Sequence, residues 1–233
     1  MVEEMRKLRI YAAGLLDAGA ADLMPLLDKS RREKLAAIRN PGERQRCLTA
    51  GLLLRHAFLH SGYSREQWRQ AEIVYGEYGK PGIRGLPGFH YSISHSEEWV
   101  ICAVGDIPVG ADIQRMRPWK IQMARRFYSD EEYDRLVSLT DAGRQTECFY
   151  QMWAAKESYG KLTGRGIGEG VSRYVTDGEL EHIRGKDTYP FPIRLYDTIA
   201  DYIVCVCSRE ACFPEEIIFA DLHEILRIHK VEG

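Results

Sequence analysis

Two apolar runs constrain this chain more than any other feature. "WVICAV" fills positions 99–104 and "YIVCVC" fills 202–207. Neither carries the polar alternation of a half-exposed strand, so each reads as a strand covered on both faces. Each follows a second strand and a short polar link. In "FHYSISHS", Phe89, Tyr91 and Ile93 alternate with His90, Ser92 and Ser94, the pleat's period. The pattern of alternating strand, link and buried strand at 89–105 returns near 193–208. Two halves of like topology follow, joined near Asp112 to Trp119.

Other elements are read around these strands. A strand is expected at 8–13 and a basic amphipathic helix at 23–38, stopped by Asn40-Pro41-Gly42. A second helix is expected at 43–61, with Leu48, Leu52, Arg55, His56 and Leu59 at helical spacing and Gly62 after its end. A short strand at 72–75 precedes the glycine-rich "YGEYGKPGIRGLPG", and "VGADIQ" is a further strand. Helices are expected at 121–127, 130–138 and 146–162, and "PIRLYDTIADYIVCVCS" forms two strands with a tight link.

Charge narrows the functional classes. With 32 basic and 34 acidic residues the net charge is −2, which gives no overall case for nucleic acid or an anionic membrane. Locally the balance differs. Lys29, Arg31, Arg32, Lys34, Arg39, Arg44, Arg46 and Arg55 face only Glu33 and Glu43 across that stretch. Charge alone fits a solvated helix face or a surface for an anionic ligand. None of the 6 cysteines forms a C-x-x-C pair. The opening residues do not read as a secretory signal, and no run reaches the roughly 18 apolar residues of a membrane span. A reduced, cytoplasmic setting is expected.

Several stretches carry chemistry. In "VGADIQ", Asp112 and Gln114 share one side of a strand, and their oxygens suit a hard cation such as Mg²⁺, completed by water and substrate phosphates. A polar strand end in solvent is the plain alternative. In "WAAKESYGKLTGRG", Trp153, Glu157 and Lys161 recur every fourth residue and share a helix face. An exposed Glu–Lys pair explains this as well as an acid and an amine aimed into a site. Bulky neighbours leave little of this helix free, and a buried acid and amine need partners.

"SISHS" invites a hydrolase reading, but adjacent strand side chains diverge, so Ser94 and His95 do not pair as nucleophile and base. Both suit oxyanion recognition better. "EYGKPGI" is a turn in which Gly79 permits close backbone approach, Lys80 adds charge and Pro81 stiffens the loop. "LTGRGIGEG" reads as a mobile glycine-rich loop.

In order, "YGKPGI", "FHYSISHSEEWVICAVG", "VGADIQ", "FYSDEEY" and "FYQMWAAKESYGKLTGRGI" resemble the Sfp-type 4′-phosphopantetheinyl transferases. The motifs span about residues 76–168. The resemblance implies an α+β fold of two pseudo-symmetric lobes, each a small antiparallel sheet packed with helices, with the active site between them. The lobes are placed at 1–111, with the coenzyme A-binding elements, and 112–233, with the metal and catalytic helix.

The reaction implied is transfer of the phosphopantetheine arm of coenzyme A to a serine of an apo acyl or peptidyl carrier protein, leaving adenosine 3′,5′-bisphosphate. The implied cofactor is Mg²⁺, held by Asp112 and Glu157. Gln114 stands where many members have an acid, binding through its amide oxygen or ceding the place to water. Glu132 matches a family acid near the site. Catalysis is assigned to Glu157, Lys161, Asp112 and Glu132, with Glu157 the first choice of base. Coenzyme A contacts are assigned to Arg31, Lys34, Arg46, Gly79, Lys80, Pro81, Ser94, His95, Lys156 and Lys161. The carrier is expected on Phe127, Tyr128 and the 164–170 loop. Nonribosomal peptide and polyketide carriers, a monomer and a cytoplasmic enzyme complete the expectation. A catalytically impaired binding module and an unrelated metal-dependent phosphotransferase are the competing classes.

Overall fold

The computed structural model describes residues 8–16, 20–166, 170–185 and 189–222. Its strands are β1 Arg9–Gly14, β2 Ile73–Tyr75, β3 Pro81–Ile83, β4 His90–Ser96, β5 Trp99–Gly105, β6 Val109–Arg115, β7 Val175–Thr176, β8 His182–Arg184, β9 Phe191–Tyr196, β10 Tyr202–Ser208 and β11 Ile218–Phe219. Its helices are α1 Lys29–Ala37, α2 Pro41–His60, α3 Arg65–Arg69, α4 Ile121–Phe127, α5 Asp130–Ser138 and α6 Ala142–Thr163. The fold is α+β. A four-stranded sheet runs β11-β1-β5-β4, a five-stranded sheet runs β6-β10-β9-β8-β7, and β2 and β3 form a two-stranded ribbon.

The two apolar runs become β5 and β10, both interior strands. Their lack of polar alternation has a direct cause. On β5, Cys102 and Val104 face α2 with Leu48 and Leu52. Ile101 and Ala103 on the same strand face the second sheet, meeting Ala111, Ile113, Val204 and Val206. On β10, Ile203, Cys205 and Cys207 turn to α6 and its Ala154, Ala155 and Tyr159. The order of layers is helix, sheet, sheet, helix. Burying each large aliphatic side chain there contributes about 1.5–3 kcal/mol, which no exposed face of a strand supplies.

The sheets also meet edge to edge. β4 ends one sheet and β6 begins the other, and the alternate serines of "SISHS" bridge them. Ala111 N donates to Ser92 Oγ at 2.9 Å, and Arg115 N donates to Ser96 Oγ at 3.0 Å. Between them Ser94 Oγ donates to Asp112 Oδ1 at 2.6 Å. Period-two polarity in β4 is therefore a seam and not a solvated face. Helix α6 then crosses β6 in backbone contact. A Cβ on Gly110 would fall 1.9 Å from Ser158 O and 2.5 Å from Leu162 N, so only glycine fits there.

Some expectations need correction. The helix expected at 23–38 is a 3₁₀ turn, Ala20–Leu26, followed by α1. Pro25 sits in the first piece, and Asp28 caps the second by accepting Arg31 N at 2.9 Å. Helix α6 starts earlier than expected, at Ala142, because Asp141 caps it, accepting Arg144 N at 2.8 Å. Helix α3 was not expected, although Ser64 and Gln67 form a capping box. The expected dividing point between 111 and 112 falls inside β6, which lies wholly in the second sheet. Strand β11, from late in the chain, returns to pair with β1 in the first sheet, Tyr11 opposite Ile218. No helix among the described residues is long and apolar enough to cross a membrane.

Candidate active site

The acidic centre lies where β6, β4 and α6 converge. Asp112 is 1% exposed, on the side of β6 that faces α6. Its Oδ1 accepts from Ser94 Oγ at 2.6 Å and from Lys161 Nζ at 2.6 Å. Its Oδ2 accepts from Gln114 Nε2 at 2.7 Å. Lys161 Nζ also donates to Ser94 Oγ at 2.7 Å, which closes a three-residue ring from three elements. Glu157, one turn before Lys161, has its carboxyl pushed up to about 7. Burial is the main cause, the Asp112 carboxylate adds to it, and Lys161 opposes it. The i,i+4 pattern of the sequence thus delivers its acid and its amine to one carboxylate.

Beside this centre opens a cleft of about 360 Å³. Arg31 and Lys34 of α1 line it together with Lys161 and Gly164. Ala50 and Leu54 of α2 contribute its apolar wall, and Tyr75, Gly79, Lys80 and Pro81 contribute the glycine-rich turn. Gly79 has a φ of 79°, a conformation that favours glycine, as the turn requires. Lys80 points its ammonium away from solvent, donating to Val109 O at 2.9 Å and Leu162 O at 2.8 Å. Burial pulls its pKa down to about 8. Lys80 therefore fastens the turn to β6 and to the end of α6.

The residues expected at the site do not all gather. Ser94 and His95 part company, as neighbours on a strand must. His95 lines the cleft, whereas Ser94 is buried in the seam and holds Asp112. Arg46 is not among the cleft-lining residues; its guanidinium bonds Glu43 Oε1 at 2.6 Å and Glu97 O at 3.4 Å. His95 still senses this neighbourhood. Desolvation lowers its pKa first, Glu43 opposes, and Arg46, Lys161 and Lys34 lower it further.

Glu132 and Lys156 are corrected outright. They pair with each other at 2.7 Å with both side chains 0% exposed, behind α6 and away from the cleft. Lys156 is adjacent to Glu157 in sequence but about 100° around the helix, so the two point in different directions. Tyr128, expected at a docking surface, is a core residue whose hydroxyl donates to Phe149 O at 2.6 Å. Phe127 packs edge-on against Trp153 at 5.0 Å. Of the expected docking loop, residues 167–169 lie outside the described residues.

Sequence reasoning missed Ser92 and Ser96 as parts of the seam and Tyr75 at the cleft. The strict alternation of "SISHS" was the available signal for the first two.

The donor set fits a hard divalent cation. Two carboxylates, Asp112 and Glu157, sit close enough to raise the proton affinity of one of them. A cation between them would remove that penalty. Gln114 supplies an amide on the same side of β6, and rotating it would present its oxygen. No group of three or more His, Cys, Asp and Glu side chains converges among the described residues, so protein donors alone do not complete a shell. That suits a cation that keeps water and substrate oxygens.

Comparison with known proteins adds a separate line. The model of the 4′-phosphopantetheinyl transferase superfamily matches residues 108–207, which include Asp112, Gln114, Glu157 and Lys161. A 4′-phosphopantetheinyl transferase of Bacillus subtilis is 34% identical over 224 residues, covering 93% of this chain and 98% of that one. The 4′-phosphopantetheinyl transferase Sfp of Bacillus subtilis strain 168 is 33% identical over 210 residues, 87% of this chain and 91% of that one. A 4′-phosphopantetheinyl transferase of Bacillus pumilus is 33% identical over 217 residues, 85% of this chain and 92% of that one.

Proposed function

The chain belongs to the 4′-phosphopantetheinyl transferase superfamily, and from that premise we propose how its cleft and acidic centre divide the work of the reaction. The enzyme moves the 4′-phosphopantetheine arm of coenzyme A to a serine of an apo carrier protein. The serine oxygen attacks the β-phosphorus of the pyrophosphate. The bond from that phosphorus to the bridging oxygen breaks, and adenosine 3′,5′-bisphosphate leaves. The serine proton must go to a base. The nucleophile comes from the partner, so this chain needs no activated serine or cysteine of its own.

One observation carries the assignment of roles. The Asp112–Lys161–Ser94 ring adjoins, through Lys161, a cleft that Arg31 and Lys34 also line. A ligand with a pyrophosphate and a separate phosphate meets several cationic side chains in such a cleft. Arg31 and Lys34 hold the 3′-phosphate, with His95 beside them. The turn through Gly79 and Pro81 borders the adenosine. Lys161 supports the pyrophosphate oxygens as charge builds on the leaving group. Glu157, a carboxylate one helical turn from Lys161 on the face that meets Asp112, takes the serine proton, directly or through water.

Asp112 and Glu157, with Gln114 or a water as third donor, are the residues that would hold Mg²⁺. When bound, the ion supplies Lewis-acid stabilisation of phosphate charge. Asp112 Oδ1 accepts from Ser94 Oγ, which fixes the carboxylate on β6. The division of the chain into two lobes follows the two sheets, with the seam between β4 and β6 as their junction. Carriers of nonribosomal peptide or polyketide synthases are the expected partners, and a monomer is the expected state. All the relatives reported above bear the name of a transferase, and no observation favours a catalytically impaired binder.

The test is incubation of the protein with coenzyme A, Mg²⁺ and a panel of apo carrier proteins, followed by intact mass. A gain of one phosphopantetheine arm on the carrier is the expected result. No gain on any carrier contradicts the reading.

A further inference from the structure

The Glu132–Lys156 pair lies outside the cleft, yet an unbroken chain of contacts ties it to the cleft wall. Glu132 Oε2 accepts from Lys156 Nζ at 2.7 Å and from Ser129 N at 2.9 Å. Its Oε1 accepts from Thr176 N at 2.9 Å and Thr176 Oγ1 at 2.8 Å. Lys156 Nζ also donates to Val171 O at 3.2 Å and to Tyr174 O. Acid and amine are both saturated, and together they join α5, α6 and the segment 171–176.

From Tyr174 the contacts continue outward. Its hydroxyl donates to Gly166 O at 2.9 Å. Gly166 N donates to Gly160 O at 3.1 Å. A Cβ on Gly160 would lie 2.9 Å from Gly166 O, so the two backbones touch. Gly160 and Gly166 both line the cleft.

A buried ion pair is a poor way to gain stability alone, since apolar residues of like volume do as well. Its advantage is direction. Charged donors and acceptors with fixed partners set the angles between segments that apolar packing leaves adjustable.

We infer that the Glu132–Lys156 pair is a positioning device that acts through Tyr174 on the Gly160–Gly166 wall, governing affinity for coenzyme A and not the reacting groups. The role in affinity rests on the transferase reading; the chain of contacts does not.

Tyr174→Phe deletes the hydroxyl that donates to Gly166 O and leaves the backbone acceptor of Lys156 in place. It is expected to raise the Kd for coenzyme A, measured by calorimetry, about threefold to tenfold, the effect of one hydrogen bond. Turnover at saturating coenzyme A should stay within about threefold of the parent on the same reasoning. A Glu132→Gln, Lys156→Met double variant removes both charges together, so neither is stranded. It should show the same split, with a larger rise in Kd.

An unchanged Kd in Tyr174→Phe overturns the inference. So does a fall in kcat beyond about tenfold in either folded variant, because that is how a lost transition-state contact behaves. If the double variant does not fold, Tyr174→Phe decides alone. If the parent neither binds coenzyme A nor transfers, the functional reading fails. Hydrogen exchange at the Gly166 amide of Tyr174→Phe then tests the linkage by itself: faster exchange supports it, and an unchanged rate overturns it.

Discussion

Lys161 Nζ lies 2.6 Å from Asp112 Oδ1, a contact between the last turns of α6 and the middle of β6. Ser94 of β4 bonds both partners, so the first sheet is also represented. The site is thus assembled at the junction of the two sheets, and its geometry depends on how closely α6 approaches β6.

That dependence can be measured at Gly110. A side-chain carbon there would overlap Ser158 O, at 1.9 Å, and α6 would have to lift from β6. Gly110→Ala is expected to cost about 1–3 kcal/mol or more, the range of overpacked cores. Because Glu157 and Lys161 ride on the same helix, kcat should fall with stability. A thermal melt beside a transfer assay checks both, and an unperturbed melt would show that the helix has room to move.

In the cleft, Arg31 and Lys34 should act on one phosphate. Arg31→Gln and Lys34→Gln are each expected to raise the KM for coenzyme A about tenfold, the scale of a charge-assisted hydrogen bond. Dephospho-coenzyme A lacks that phosphate, so its KM should change little. Equal effects on both donors would remove the 3′-phosphate assignment.

His56 offers a pH-dependent test away from the site. Burial holds its pKa down to about 4, with His60 and Arg55 adding to the effect. The unfolded chain binds this proton below about 6.5, but the folded chain does not until about 4. Stability from this group is therefore complete above pH 6.5 or so and is lost as the pH falls toward 4. His56 is only half-buried, so solvent screens the effect and the loss amounts to about 1 kcal/mol. Urea unfolding of His56→Gln at pH 7.5 and 4.5 should show a smaller difference than the parent by that amount. An equal difference in both proteins would contradict it.

Much of this arrangement was legible in the sequence, and the failures have physical causes. The runs at β5 and β10 were read as buried on both faces because no polar residue relieved them, and two sheets back to back require that. Trp153, Glu157 and Lys161 were rightly given one helical face. Lys156 was misread because a motif in a line of text does not say which way each residue points. Its neighbours by helical spacing, Phe149 and Met152, are core residues on the α5 side, and they were the warning. Ser94 and His95 were both assigned to the phosphates of coenzyme A, whereas strand alternation sends Ser94 to the seam and only His95 to the cleft. The helix across 23–38 failed because a basic, periodic stretch hid Pro25 and the capping Asp28. No local pattern revealed Tyr174, whose importance comes only from the tertiary link between Lys156 and Gly166.

The central claim is that Asp112 and Glu157 act together on the pyrophosphate. It is tested most directly by the initial rate of arm transfer to an apo carrier protein, followed by intact mass, for the parent, Asp112→Asn and Glu157→Gln, with circular dichroism of each. The expected result is that both variants keep the parent's spectrum and lose transfer by more than about 100-fold, as removal of charge stabilisation at a transition state does. Parent-like transfer by either folded variant would contradict the account.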